Sequence, residues 1–167
     1  MAAAAPGTAR RGRYGGRVSD GMSDGVSSAA RELYAGDRAA AAFGIELVES
    51  SPERAVVRMA VLAEYCNGFL MLHGGMTFLL ADTAMAFASN AATDAAIDAD
   101  GHGTLASSAE IDWLAPVRAG QQLTATAIRR WSSGRSALWD VTVADADGAV
   151  VALMRGRTRA TRLPPVA

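Results

Sequence analysis

Several residue types are absent or scarce in this chain of 167 residues, and each scarcity excludes a class of site. The sequence has no lysine: all 16 basic residues are arginine, balanced by 17 acidic residues. The resulting net charge of -1 gives no overall attraction to nucleic acid or anionic lipid. Cys66 is the only cysteine, which excludes an intrachain disulfide. Because His73 and His102 are the only imidazoles, we expect no metal site.

Long hydrophobic runs are also missing. The longest apolar segment, within residues 76–88, is interrupted by Asp82, and no signal-peptide segment follows Arg10 and Arg11. We therefore expect a cytoplasmic protein that neither spans a membrane nor binds nucleic acid. The length and the hydrophobic fraction of 50% are those of one domain with a sizeable core.

The order of residue types divides the chain into a tail and a single domain. Residues 1–27 are rich in Ala, Gly, Arg and Ser, which predicts a flexible tail. The folded domain is predicted over residues 28–163. It begins with one helix over residues 28–43, with a serine cap at its start and Gly44 at its end.

The remaining elements predict an α+β fold. Residues 74–90 contain no proline and are apolar nearly all round, which is typical of a helix in the middle of a protein. Residues 91–103 are rich in Asp and Gly and predict an exposed loop. An antiparallel sheet of about six strands would wrap the helix. The strand candidates are 45–49, 54–61, 104–113, 121–131, 136–145 and 149–161.

One carboxylate, Asp82, lies inside the predicted central helix. Burying a carboxylate costs several kcal/mol unless it is hydrogen-bonded or paired, so its position requires an explanation. We expect a catalytic role. The alternative is a structural carboxylate that is hydrogen-bonded to nearby backbone or hydroxyl groups.

The sequence His73-Gly74-Gly75 opens this helix and predicts an oxyanion-binding site. The first backbone N–H groups of a helix have no intrahelical acceptor and lie at the positive end of its dipole. The alternative is that the two glycines only permit a tight turn or close packing and bind no ligand. Asp82 lies about 13.5 Å further along a straight helix than His73 and about 180° around it. One chain therefore cannot join the two, and a shared site requires a symmetric dimer.

Two further features are candidates for ligand binding, and each also has an explanation that involves no ligand. Asn67 lies in a Cys-Asn-Gly turn, where it could hold a water or a substrate carbonyl, although turn formation alone also explains it. Arg155, Arg157 and Arg159 alternate on the last strand and therefore share one face. That face could bind the phosphates of an anionic ligand, or it could be solvated only.

Together these motifs resemble the hotdog-fold acyl-CoA thioesterases of the phenylacetate-degradation type. The resemblance covers roughly residues 28–161. It implies the hotdog fold, in which an antiparallel sheet wraps a central helix, and a homodimer often doubled into a homotetramer. It also implies hydrolysis of phenylacetyl-CoA or hydroxyphenylacetyl-CoA without a cofactor, since CoA is part of the substrate. The motifs are Asn67-Gly68, His73-Gly74-Gly75-x-x-Phe78-x-Leu80-Ala81-Asp82-x-Ala84, the segment 106–116 and the segment 151–157.

The resemblance also implies a role for each site residue. Asp82 would attack the thioester or activate water, while the Gly74 N–H of the partner subunit would polarise the carbonyl. Asn67 would position water or the thioester, and His73 would support the turn. The residues expected to bind the substrate and its CoA part are Gly75, Ser107, Ser108, Arg155, Gly156 and Arg157.

Two other functions stay open. The first is a hotdog hydratase acting on enoyl thioesters, although the Asp-x-Asn-Pro-x-His element typical of hydratases is absent from this sequence. The second is a non-catalytic acyl-CoA sensor whose basic tail contacts nucleic acid, although the tail has no helix-turn-helix pattern.

Overall fold

A computed structural model describes residues 25–91 and 100–164 of the chain, and its strands form one six-stranded sheet. The order across the sheet is β1-β2-β4-β5-β6-β3, and every neighbouring pair is antiparallel. The three β-hairpins β1/β2, β4/β5 and β5/β6 follow the turn signals of the sequence. The strands are β1 (Ile45–Ser51), β2 (Arg54–Ala60), β3 (His102–Trp113), β4 (Gln122–Ser133), β5 (Ser136–Asp145) and β6 (Val150–Arg162).

The long helix α3 (Gly74–Ser89) packs against one face of this sheet. It contacts all six strands, and its residues Leu80, Met85 and Phe87 are fully buried. The facing strands present small residues, which allow the close approach of helix and sheet. Gly156 is one of them, because a Cβ at this position would collide with the Met85 side chain. The predicted α+β arrangement of a long helix and a six-stranded antiparallel sheet is confirmed.

The predicted single helix over residues 28–43 is wrong, because two helices occupy this stretch. They are α1 (Ser28–Gly36) and α2 (Arg38–Phe43). Asp37 separates them: its backbone is extended, and its Oδ1 accepts a hydrogen bond from the Ala40 N–H at 2.9 Å. An aspartate that caps a helix interrupts the preceding one. The two outer ends follow the prediction, with Ser27 capping α1 and Gly44 ending α2 at a φ of 62°.

One side of α3 is not covered by the sheet. Phe78, Leu79, Asp82 and Ala86 are partly exposed and Gly75 is exposed, whereas the intervening positions are largely buried. Their spacing places them on one helix face. We call these five residues the uncovered stripe of α3. A stripe that is mostly apolar and lies beside a sheet is typical of a surface that another chain covers.

The edge strand β3 also has an unpaired side within the described residues. It pairs with β6 on one side, and no described strand pairs with its other side. All six residues of the range 105–110 are exposed, including Leu105. A long unpaired strand edge with exposed apolar side chains is suited to pairing with another strand.

The predicted tail over residues 1–27 lies mainly outside the described residues, as does most of the predicted loop over residues 91–103. Val26, just inside the described range, is buried and bridges Ser50 of β1. Within the described ranges, no helix combines the length and hydrophobicity needed to cross a bilayer.

Candidate active site

The first turn of α3 presents a free backbone donor at Gly74. His73 caps this turn, and its Nδ1 accepts a hydrogen bond from the Gly75 N–H at 3.0 Å. The Gly74 N–H has no acceptor among the described residues and, as the first residue of the helix, none within the helix. Of the two glycine donors predicted for oxyanion binding, Gly74 is therefore the free one.

Asn67 shapes the loop that leads into this turn. Its Oδ1 accepts hydrogen bonds from the N–H groups of Phe69 at 2.9 Å and Met71 at 3.4 Å. The loop holds Leu70 at a φ of 59°, and both Phe69 and Leu70 are largely exposed, at 79% and 73%. Because the carbonyl oxygen of the Asn67 amide closes the loop, its NH₂ group is the end left for a ligand.

A cavity of about 310 Å³ lies beside this turn. Its lining residues with polar side-chain atoms are Asn67, Thr77 and Trp113, Gly74 also lines it, and the other lining residues are apolar. The volume is within the range of small-molecule sites, and such sites combine apolar walls with a few polar groups. The cavity therefore suits a modest apolar group that carries one carbonyl. The apolar residues that line the cavity are Met71, Leu72, Leu114, Ala115, Pro116, Val117 and Val151.

Asp82 lies on the uncovered stripe and does not line this cavity. It has no hydrogen-bond or ion-pair partner among residues 25–91 and 100–164. Partial burial raises the pKa of its carboxyl above the usual value, and no charge on the described residues opposes this shift. A structural carboxylate would have partners that offset its desolvation, and the described residues supply none.

Three of the six predicted substrate- and CoA-binding residues, Ser108, Arg155 and Arg157, lie on the sheet face opposite α3. Ser108 and Arg157 are cross-strand partners on β3 and β6, and both are exposed. Arg155 is two residues from Arg157, and its Nε donates a hydrogen bond to Asp140 Oδ1 at 2.8 Å. Arg130 donates to the other oxygen of the same carboxylate, also at 2.8 Å. The hydrogen bond from Arg155, more than that from Arg130, lowers the pKa of Asp140.

The other two predicted ligand-binding residues on these strands, Ser107 and Gly156, have structural roles within the sheet and its contact with α3. Ser107 is the extra residue of a β-bulge between Ala106 and Ser108, and its Oγ donates to the Arg157 carbonyl oxygen at 3.2 Å. Gly156 is buried and faces α3 rather than the arginine face. The structure thus brings Asn67 and Gly74 together but separates both from Asp82 and from the arginines.

Sequence reasoning gave no role to Trp113, although this residue contacts the predicted oxyanion site. Its Nε1–H donates to the Gly74 carbonyl oxygen at 3.2 Å, across 39 positions of the chain. The segment around Trp113 carried part of the family resemblance. No local pattern, however, indicates that its side chain reaches Gly74.

Comparison with known proteins gives consistent matches. The thioesterase superfamily profile matches residues 69–152. The chain is 37% identical to the acyl-coenzyme A thioesterase PaaI of Escherichia coli strain K12 over 129 residues. The aligned region is 77% of this chain and 86% of the relative.

Solved structures of similar proteins have the same fold. One is the E. coli PaaI protein from the phenylacetic acid degradation operon, with a TM-score of 0.70 and 36% identity. The match covers 82% of this chain and 92% of that chain. Another is an asparagine-to-aspartate mutant of the phenylacetic acid degradation protein PaaI from Thermus thermophilus, with a TM-score of 0.66 and 32% identity. That match covers 76% of this chain and all of the other, at 100%.

Proposed function

This chain belongs to the thioesterase superfamily, and we propose that it cleaves arylacetyl-CoA thioesters at a site built from two copies of the chain. The predicted hotdog fold and thioester hydrolase activity are confirmed by the family match and by the relatives. The preferred substrates in the proposal are phenylacetyl-CoA and hydroxyphenylacetyl-CoA. The mainly apolar cavity of about 310 Å³ supports an acyl group of this size.

The observation that carries the proposal is the position of Asp82. It is the only charged residue of α3, it lies unpaired among the described residues, and it sits on the face that the sheet leaves uncovered. A carboxylate in such surroundings is typical of a functional site. Its raised pKa makes it a stronger base than an exposed aspartate.

A two-fold symmetric dimer would complete the site. Gly74 and Asp82 are eight positions apart, which on α3 corresponds to about 12 Å along the axis. If two copies of α3 run antiparallel along their uncovered stripes, with the symmetry axis near Phe78, Gly74 of each copy lies beside Asp82 of the other. The unpaired edge of β3 would join the two sheets in the same dimer. The further assembly into a homotetramer stays a prediction.

In the proposed reaction, the thioester carbonyl oxygen accepts a hydrogen bond from the Gly74 N–H. Asp82 of the partner copy then acts in one of two ways. It attacks the carbonyl carbon and forms an acyl–aspartate anhydride, which water hydrolyses in a second step, or it removes a proton from the water molecule that attacks the carbon. In both routes the carbon–sulfur bond breaks, and the CoA sulfur leaves as a thiol with a proton that comes from water, directly or through Asp82. One donor aimed at the developing oxyanion contributes about a hundredfold to a thousandfold in rate.

The other residues would bind and orient the substrate. Asn67 would direct its NH₂ group at the thioester or the water, and His73 would hold the turn by accepting the Gly75 N–H. Arg155 and Arg157 would contact the phosphates of CoA, beside Ser107 and Ser108. The cytoplasmic location and the independence from a cofactor also stay predictions.

The test is free-thiol release from phenylacetyl-, hydroxyphenylacetyl-, benzoyl- and straight-chain acyl-CoAs. The Asp82→Asn protein should lose turnover and stay folded. The matched control is Asp147→Asn, which removes an exposed carboxylate in the β5–β6 turn and should leave turnover unchanged. Unchanged turnover in Asp82→Asn would refute the role of this residue. Hydration of crotonyl-CoA without thiol release would favour a hydratase, and binding without any turnover would favour a sensor.

A further inference from the structure

The peptide group that joins Gly74 to Gly75 is held at both ends. Its oxygen accepts a hydrogen bond from Trp113 Nε1 at 3.2 Å, and its N–H donates to His73 Nδ1 at 3.0 Å. The indole ring also lies against the Gly74 backbone, since a Cβ there would be 3.1 Å from two ring atoms. Glycine backbones are the most flexible, so two adjacent glycines need such restraints to keep one conformation.

Trp113 does not have the surroundings of a core residue. It is 56% exposed at the end of β3, whereas Trp139 in β5 is 1% exposed and donates to Thr158 Oγ1 inside the core. Trp113 instead lines the cavity that contains Gly74 and Asn67. An exposed indole with its N–H directed at the helix end acts on that end rather than on the core.

We propose that Trp113 is a positioning residue, which holds the Gly74–Gly75 peptide group so that the free Gly74 N–H points into the cavity. This inference rests on the proposed function, in which that N–H binds the thioester carbonyl. The Gly74 N–H belongs to the preceding peptide group, whose carbonyl oxygen, on His73, accepts a hydrogen bond from the Met76 N–H at 2.8 Å. With both peptide groups held, the φ and ψ angles of Gly74 that separate them are restricted, and the direction of the free N–H is restricted with them. A donor held in place before the reaction needs no reorganisation during it.

Substitution of Trp113 should therefore lower kcat more than it changes KM. Trp113→Phe removes the N–H donor and keeps an aromatic ring, and we expect kcat to fall about tenfold. Trp113→Leu removes both contacts and should lower kcat about a hundredfold, the scale of an ångström-sized misplacement. The matched control is Trp131, which is 53% exposed on β4 and makes no hydrogen bond to α3 within the described residues. Trp131→Phe and Trp131→Leu should leave kcat unchanged.

A double-mutant cycle separates positioning from general stability. Gly74→Ala pushes a methyl group against the indole and should lower kcat in the wild-type background. In a Trp113→Leu background that contact is absent, so the same change should have less effect. Independent, multiplicative losses of kcat would refute the proposed coupling.

A binding experiment decides the inference even if the wild type cleaves no thioester. The probe is a CoA thioether that carries the phenylacetyl carbonyl as a ketone, one methylene from sulfur, and it is titrated into the Asp82→Asn protein. Adding Trp113→Leu should weaken this binding about tenfold, the value of roughly one good hydrogen bond. A thioether of the same length without the carbonyl should bind both proteins equally. Equal weakening for the two probes would show that Trp113 only packs against the ligand, and would overturn the inference.

Discussion

Mixed dimers test whether each active site takes Asp82 from one chain and Gly74 from the other. Asp82→Asn removes the carboxylate. Gly74→Pro removes the free N–H while leaving the helix intact, since proline is favoured at the first helical position. His73 precedes it with φ at -63° and ψ at 131°, a conformation compatible with a following proline. Each homodimer should lose about a hundredfold or more in rate.

The matched control for the proline variant is Gly74→Ala. Both substitutions add a carbon that meets the Trp113 ring at 3.1 Å, but only proline removes the donor. Gly74→Pro should therefore be markedly less active than Gly74→Ala. Equal activity of the two variants would mean that steric displacement, rather than the N–H group, explains the loss.

The heterodimer of Asp82→Asn with Gly74→Pro has one site with both native groups if the sites are shared. Co-expression with two affinity tags isolates this species, and thiol release should recover to about half of the wild-type rate per dimer. The reciprocal heterodimer pairs a wild-type chain with a chain that carries both substitutions, and it should be inactive. The opposite outcome, an inactive first heterodimer and a half-active second one, would refute the shared site.

Three further predictions follow from charges and packing. Burial raises the pKa of Asp82 in the folded chain, so the ionised carboxylate destabilises the fold at neutral pH. Asp82→Asn should therefore raise the Tm by a few degrees at pH 7, and by less at acid pH, where the wild-type carboxyl is already protonated. The kcat/KM of the wild type should fall as the pH drops through the raised pKa, because the protonated carboxyl is no longer a base. Asp140→Asn frees Arg155 from its ion pair, so the KM for CoA esters should fall a few-fold at low salt. The Tm should stay nearly unchanged, because exposed ion pairs stabilise the fold little. An unaltered KM would argue against a contact between Arg155 and the CoA phosphates. Gly156→Ala forces a methyl group against Met85 and should lower the unfolding free energy by about 1–3 kcal/mol in a denaturant titration, with kcat of the folded fraction retained.

Local chemistry in the sequence determined most of the secondary structure. Alternating apolar residues and turn signals located all six strands, and the absence of breakers located α3. These signals depend on neighbouring residues, so they are readable without tertiary contacts. The exception is the break between α1 and α2, where the Asp37 side chain caps a new helix instead of continuing the old one. The single charge of Asp82 within an apolar helix also marked a candidate site, because the cost of burying a carboxylate is evident from the sequence alone.

Only the tertiary structure decided how the site residues face one another. The bulge at Ser107 adds one residue to β3 and reverses which side chains beyond it face α3. This reversal turns Trp113 toward Gly74, 39 positions away in the chain. The sheet likewise leaves Asp82 on the one stripe of α3 that it does not cover. Both facts depend on strand register and on the packing of helix against sheet, which bring together residues that no local pattern relates.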